Sequence, residues 1–138
     1  MDDGLEILFV EDNDYDAELT LRSLRNSERI GAITRVRDGV EALEFVFREG
    51  LFAQREGGLP DLILLDLNMP RVGGIEMLQT LRSDALTQAL PVVVLTNSAD
   101  ARASIESYQL GALGFLQKPI TLPAFAQIIA QIGLLHLT

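Results

Sequence analysis

Four short runs, Ile7-Leu8-Phe9-Val10, Leu62-Ile63-Leu64-Leu65, Val92-Val93-Val94-Leu95 and Gly114-Phe115-Leu116-Gln117, constrain this chain more than any other feature. A run of this kind has almost no polar face to turn towards water, so it reads as a strand covered on both sides, the pattern of a parallel sheet. Each run also ends on a chemically able side chain: Glu11 and Asp12, then Asp66, then Thr96, then Lys118. A carboxylate where a buried strand meets the surface is costly unless a cation or an electrophile meets it.

The full set of predicted strands is Leu5–Val10, Ile33–Val36, Leu62–Leu65, Val92–Leu95 and Leu113–Leu116. Apolar residues at helical spacing lie between and after them: Ala17, Leu21, Leu24; Leu43, Val46, Phe47; Met77, Leu78, Leu81; Ala101, Ile105, Tyr108, Ala112; and Phe125, Ile128, Ile129, Ile132. Asp38 with Glu41 makes a capping box, Gly50 and Gly111 suit left-handed helix stops, and Thr121 can cap the last helix. Five strands alternating with five helices predict an α/β fold with a doubly wound parallel sheet. Such a sheet binds its ligand at the carboxyl ends of the strands, where the winding reverses. Only Leu51 to Pro60 reads as a loop without structure of its own, a tolerated surface connection on the side of the sheet away from the candidate site.

At 138 residues, with 48% hydrophobic residues, residues 1–138 are expected to form one domain with no output domain. A net charge of −9 argues against nucleic acid and anionic lipid, whose binding needs clustered Lys and Arg. The chain has no cysteine, so thiolate chemistry and Cys-ligated zinc are excluded. Its acidic start lacks a secretory pattern, and the expected location is cytoplasmic. Pro119 to Thr138 carries no Asp, Glu, Lys or Arg, but Gln127, Gln131 and His136 have no evident partners for a membrane span. His136, lone and near the terminus, reads as a surface or interface residue rather than a phosphotransfer or metal group.

With strand order 2-1-3-4-5, the first and third strands are neighbours about 5 Å apart, and Glu11, Asp12 and Asp66 crowd one pocket. Two unit charges about 5 Å apart repel by roughly 3 kcal/mol at an effective dielectric near 20. A divalent cation relieves that repulsion, and an all-oxygen donor set without His or Cys favours Mg2+. Lys118 lies about 10 Å from Asp66 by strand spacing, a gap its side chain largely spans. The resulting chemistry is attack of Asp66 on phosphorus, with the cation, Thr96 and Lys118 neutralising the phosphoryl oxygens. The Lys118-Pro119 bond, cis or trans, restrains the direction of the lysine.

Glu11-Asp12-Asn13, Asp66-Leu67-Asn68-Met69-Pro70 with Gly73-Gly74, Leu95-Thr96-Asn97-Ser98, and Gly111-Ala112-x-Gly114-Phe115-x-x-Lys118-Pro119 together resemble the receiver domain of two-component response regulators. The resemblance covers the whole chain and implies the flavodoxin-like order 2-1-3-4-5. It implies that Asp66 accepts phosphate from a sensor histidine kinase and that the domain catalyses only its own phosphorylation and dephosphorylation. It further implies Asp12, Asp66 and the Asn68 backbone carbonyl as direct Mg2+ ligands, with Glu11 acting through water. Thr96 would grip the phosphoryl group, Lys118 would pair with it, and Asn68 and Ser98 would tune dephosphorylation. The long connection before the third strand, with Glu11-Asp12-Asn13, is similar to single-domain regulators that partner bacterial phytochromes.

Phosphorylation would draw in Thr96, and Phe115, similar in position to the family's switch aromatic, would follow it. The moving surface would be the fourth helix, fifth strand and fifth helix. There Leu122, Ala126, Ile129 and Leu134 are expected to add an apolar face for a homodimer. Two other functions stand beside this one. A Mg-dependent aspartyl-nucleophile phosphatase would need a second acid where Asn68 stands, to protonate a leaving alcohol. A phosphorylation-independent adaptor would not need Asp66, Thr96 and Lys118 with the acid pair.

Overall fold

The computed structural model describes residues 4–66, 73–96 and 110–137, and for 132 and 134–137 the backbone alone. The strands are β1 (Leu5–Val10), β2 (Ile30–Val36), β3 (Leu62–Asp66), β4 (Val92–Thr96) and β5 (Gly114–Gln117). The helices among the described residues are α1 (Asp14–Leu24), α2 (Gly39–Phe47), α3 (Gly74–Arg82) and the C-terminal α4 (Leu122–Leu137), with a 3-10 turn at Gly50–Phe52. The expected helix through Ala101, Ile105 and Tyr108 lies outside the described residues, as do the side chains of Ile132, Leu134 and His136. Ala112, placed at that helix's end by its spacing, is not helical. Gly111 before it has φ +63°, a conformation open to glycine at little cost.

All strand pairs are parallel, and the sheet order is β2-β1-β3-β4-β5. Ile7–Val10, Leu62–Leu65 and Val92–Leu95 are fully buried, which is why these three central runs are apolar at every position. β2 is an edge strand with both exposed and part-buried positions, and it starts three residues before the predicted Ile33. Strand alternation sorts the core into two layers. Leu8, Val10, Ile63, Leu65, Val92 and Val94 pack with α2 and α3. Ile7, Phe9, Leu62, Leu64, Val93, Leu95 and Leu116 pack with α1 and α4. Each fully buried aliphatic or aromatic side chain contributes about 1.5–3 kcal/mol, so these layers dominate the stabilisation. A Cβ on Gly114 would come within 2.6 Å of Ile128 Cδ1, so a bare backbone lets α4 close down on β5.

Helix ends follow the predicted signals with two changes. Asn13 caps α1 by accepting the Asp16 N–H at 2.8 Å, and Thr121 Oγ1 accepts the Ala124 N–H at 3.3 Å. Asp38 accepts the Glu41 N–H at 2.9 Å, but the returning Glu41 carboxylate takes the Arg37 N–H at 2.8 Å rather than that of Asp38. The left-handed stop of α2 falls on Arg48 (φ +57°), ahead of Gly50, which has φ +51° and opens the 3-10 turn.

The segment after that turn is tied down, contrary to the expectation of a structureless loop. Arg55 lies 3.9 Å over the Phe45 ring and donates to the Phe45 carbonyl at 2.8 and 3.1 Å. A second correction concerns Ile129, expected on the exposed face of the last helix. It is 4% exposed and belongs to the core beneath α4, whereas Leu122 and Ala126 are exposed. Among the described residues no helix is long and apolar enough to cross a membrane.

Candidate functional site

Strand alternation explains which of the polar ends meet. Glu11 continues the Ile7–Phe9 face of β1, Asp66 the Leu62–Leu64 face of β3, and Lys118 the face of Leu116 in β5. All three therefore emerge on the α1 side of the sheet. Register puts Val10 beside Leu65 and Asp66 beside Leu95, so the acids also end at one height. Lys118 Nζ stands 2.9 Å from Glu11 Oε1 and 3.3 Å from Asp66 Oδ2, as its predicted reach requires. The Lys118-Pro119 bond is cis.

A third carboxylate, Asp16 of α1, lies 3.4 Å from the same ammonium. The sequence reading missed Asp16, which lies in the first turn of α1, just after the end of β1. A cavity of about 200 Å³, lined by Asp16, Leu19, Thr20, Lys118 and Pro119, opens beside this contact.

Carboxylate oxygens of Glu11, Asp12 and Asp66 all lie within 4.8 Å of one another. Glu11 and Asp66 are buried and Asp12 is half-buried. Burial first, and then the adjoining Asp66 carboxylate, push Glu11 up from an ordinary 4.5 to about 7, against the opposing pull of Lys118. Burial disfavours the Lys118 ammonium too, but the Glu11 hydrogen bond and the Asp66 charge outweigh it, and the lysine titrates above its usual value. Among the described residues, one ammonium thus serves three carboxylates with Asp12 beside them. The donor set is all oxygen and compact, and it fits a hard divalent cation. Glu11 Oε1 faces Lys118 and Oε2 accepts the Asn13 N–H at 3.2 Å, so both of its oxygens already have partners.

Thr96 ends β4 on the opposite alternation, with Val92 and Val94, on the α2–α3 side. Phe115 is half-buried and packs against that same layer, and it sits in register with Val94, one step back from Thr96. The Lys118 N–H donates to the Thr96 carbonyl at 3.1 Å, tying the ends of β4 and β5 together. The predicted Asn68 and Ser98 lie outside the described residues. Arg35 is a second residue the sequence reading missed. Arg35 and Arg37, two apart near the end of β2, both reach Asp14 at 2.9 Å and hold its carboxyl below the usual range.

Residues 7–130 match the family described as the response regulator receiver domain. The response regulator Rcp1 of Synechocystis sp. is 36% identical over 112 residues, covering 81% of this chain and 75% of that protein. A structure of Rcp1 in its Mn2+-bound form superposes with a TM-score of 0.72 at 34% identity, covering 90% and 88% of the two chains. The bacteriophytochrome response regulator RtBRR gives a TM-score of 0.86 at 42% identity, over 94% of this chain and 78% of its own. A second bacteriophytochrome response regulator, AtBRR, gives 0.87 at 38%, over 96% and 94%. Receiver fold, sheet order and acid cluster agree with those likenesses: this chain belongs to the response regulator receiver family, and its similarity runs to the regulators of bacterial phytochromes.

Proposed function

We propose that Asp66 accepts a phosphoryl group from a phosphohistidine of a sensor kinase in a Mg2+-dependent reaction. The observation that carries this reading is the buried Asp66 carboxylate, with Lys118 Nζ at 3.3 Å and two further acids within 4.8 Å. In the transfer, an Asp66 oxygen forms a bond to phosphorus, the phosphorus–nitrogen bond breaks, and the imidazole keeps the electron pair and takes up a proton. Asp12 and Asp66 would hold the cation directly, with the Asn68 carbonyl, and Glu11 through water. The cation would supply positive charge against the phosphoryl oxygens. Lys118, which rests on carboxylates here, would move onto a phosphoryl oxygen, and Thr96 would donate its hydroxyl to another.

Phosphorylation would then draw in Thr96 and let Phe115 follow on the α2–α3 side of the sheet. The output surface is the segment before β5, β5 and α4. Its exposed Leu122 and Ala126 support a homodimer, with Leu134 in the same helix. Asn68 and Ser98 would set the phosphoryl lifetime. Similarity to RtBRR and AtBRR supports a bacterial phytochrome as the kinase partner. The chain would act in the cytoplasm, without nucleic acid or membrane.

Acetyl phosphate with Mg2+ and intact-mass readout tests this reading. Addition of one phosphoryl group to the wild type and none to Asp66→Asn is the expected result. Rapid turnover of organic phosphates would instead indicate a phosphatase, and no reaction an adaptor.

A further inference from the structure

Arg35 lies on β2, opposite Phe9 in register, so its side chain rises on the α1 side of the sheet. It is 19% exposed, and its Nε donates to the Glu11 carbonyl at 2.8 Å while Nη1 donates to Asp14 Oδ1 at 2.9 Å. These two bonds fall on either side of Asp12. The remaining nitrogen, Nη2, is buried with no hydrogen-bond partner. An unsatisfied buried donor is unfavourable, and it persists where the rest of the group is held by geometry worth more. Arg37 Nη1 meets the same Asp14 oxygen at 2.9 Å, and the Glu11 N–H donates to the Val36 carbonyl at 3.0 Å. The end of β2 therefore grips the β1–α1 turn at Glu11 and at Asp14.

We infer that Arg35 is a positioning residue for the acid cluster, clamping the turn on both flanks of Asp12 so that its carboxylate points at the cation shared with Asp66. The inference rests on the cation reading above. Asp14 is 73% exposed by side chain, and an exposed ion pair stabilises a fold little, so the contact matters for direction more than for stability. Lysine carries the same charge, but it has no planar fork to reach a carbonyl and a carboxylate in two set directions. Arg35→Lys thus separates clamping from charge.

Mn2+ binding to the full chain, read from the electron paramagnetic resonance signal of free Mn2+, tests the clamp, with urea unfolding in chelator as a check on the fold. Wild type is expected to bind saturably, and both Arg35→Lys and Arg35→Met to bind about ten-fold more weakly, the usual scale for orienting groups behind metal ligands. Asp14→Asn, a change at an exposed position that keeps the fold whatever the fate of the Arg35 variants, should weaken binding in the wild-type background. It should add nothing to Arg35→Lys. Unchanged affinity in Arg35→Lys, or tighter binding in Arg35→Met, would reduce Arg35 to a nearby charge and overturn the clamp alone. No saturable Mn2+ binding by wild type would overturn the cation reading and the clamp with it.

Discussion

Glu11 is fully buried with its pKa raised from 4.5 to about 7, and this predicts an unusual pH dependence of folding without metal. Between those values the folded chain holds a proton that the unfolded chain has lost. The stability this proton supplies is complete below pH 4.5 and is lost as pH rises through about 7. The interval corresponds to about 3 kcal/mol at 1.36 kcal/mol per pH unit. With a urea slope near 1.5 kcal/mol per molar, the unfolding midpoint should fall by about 2 M across the window. The assay is urea unfolding followed by far-ultraviolet circular dichroism in chelator, for wild type and Glu11→Gln. The difference between the two proteins reports Glu11 together with the Asp66 and Lys118 charges coupled to it. Saturating Mg2+ should flatten the wild-type fall, because a cation favours the ionised acids. Parallel pH curves for wild type and Glu11→Gln would refute the reasoning.

Lys118→Met leaves buried Glu11 and Asp66 without their ammonium, so at pH 8 in chelator it should cost about 3–5 kcal/mol by urea unfolding, recovered in part by Mg2+. Arg82 ends α3 and donates to the carbonyls of Leu110, Gly111, Gln88 and Leu90 at 2.7 to 3.1 Å. Arg82→Met strands these acceptors and should destabilise the domain by at least about 2 kcal/mol in the same assay. Leu122→Glu with Ala126→Glu should convert the proposed dimer to a monomer in light scattering; a wild type monomeric at micromolar concentration, with and without a phosphate mimic, contradicts the dimer.

The sheet was legible because its central strands leave no polar face: where all four residues of a run are apolar, burial on both sides is the only stable outcome. Asp66 and Glu11 were legible for the same reason, since each is the first polar group after such a run; Lys118 follows the exposed Gln117 at the end of β5, and alternation carries all three to one side. β2 was read short because an edge strand needs no apolar pattern at its start, and Ile30 to Ala32 pair through backbone. Asp16 and Arg35 were missed because their roles depend on how α1 docks over the end of the sheet, a tertiary placement that no local spacing encodes. The pair Arg35 and Arg37, at strand period and on the side that carries the acids, was the available signal. Ile129 was counted both with the core-spaced residues and on a second apolar face, because α4 carries apolar residues on more than one side, which leaves helical spacing unable to tell the buried face from the exposed one. Arg55 shows the same limit in a loop: its contact with Phe45 depends on a fold-back that composition does not reveal.

Reductive trapping tests the central claim most directly. Borohydride converts an aspartyl phosphate to homoserine, which peptide mass spectrometry assigns to one residue. After acetyl phosphate and Mg2+, conversion should occur at Asp66 alone, and chelator should abolish it. Conversion at Asp12 or another acid, or equal conversion at Asp66 in chelator, would contradict the account.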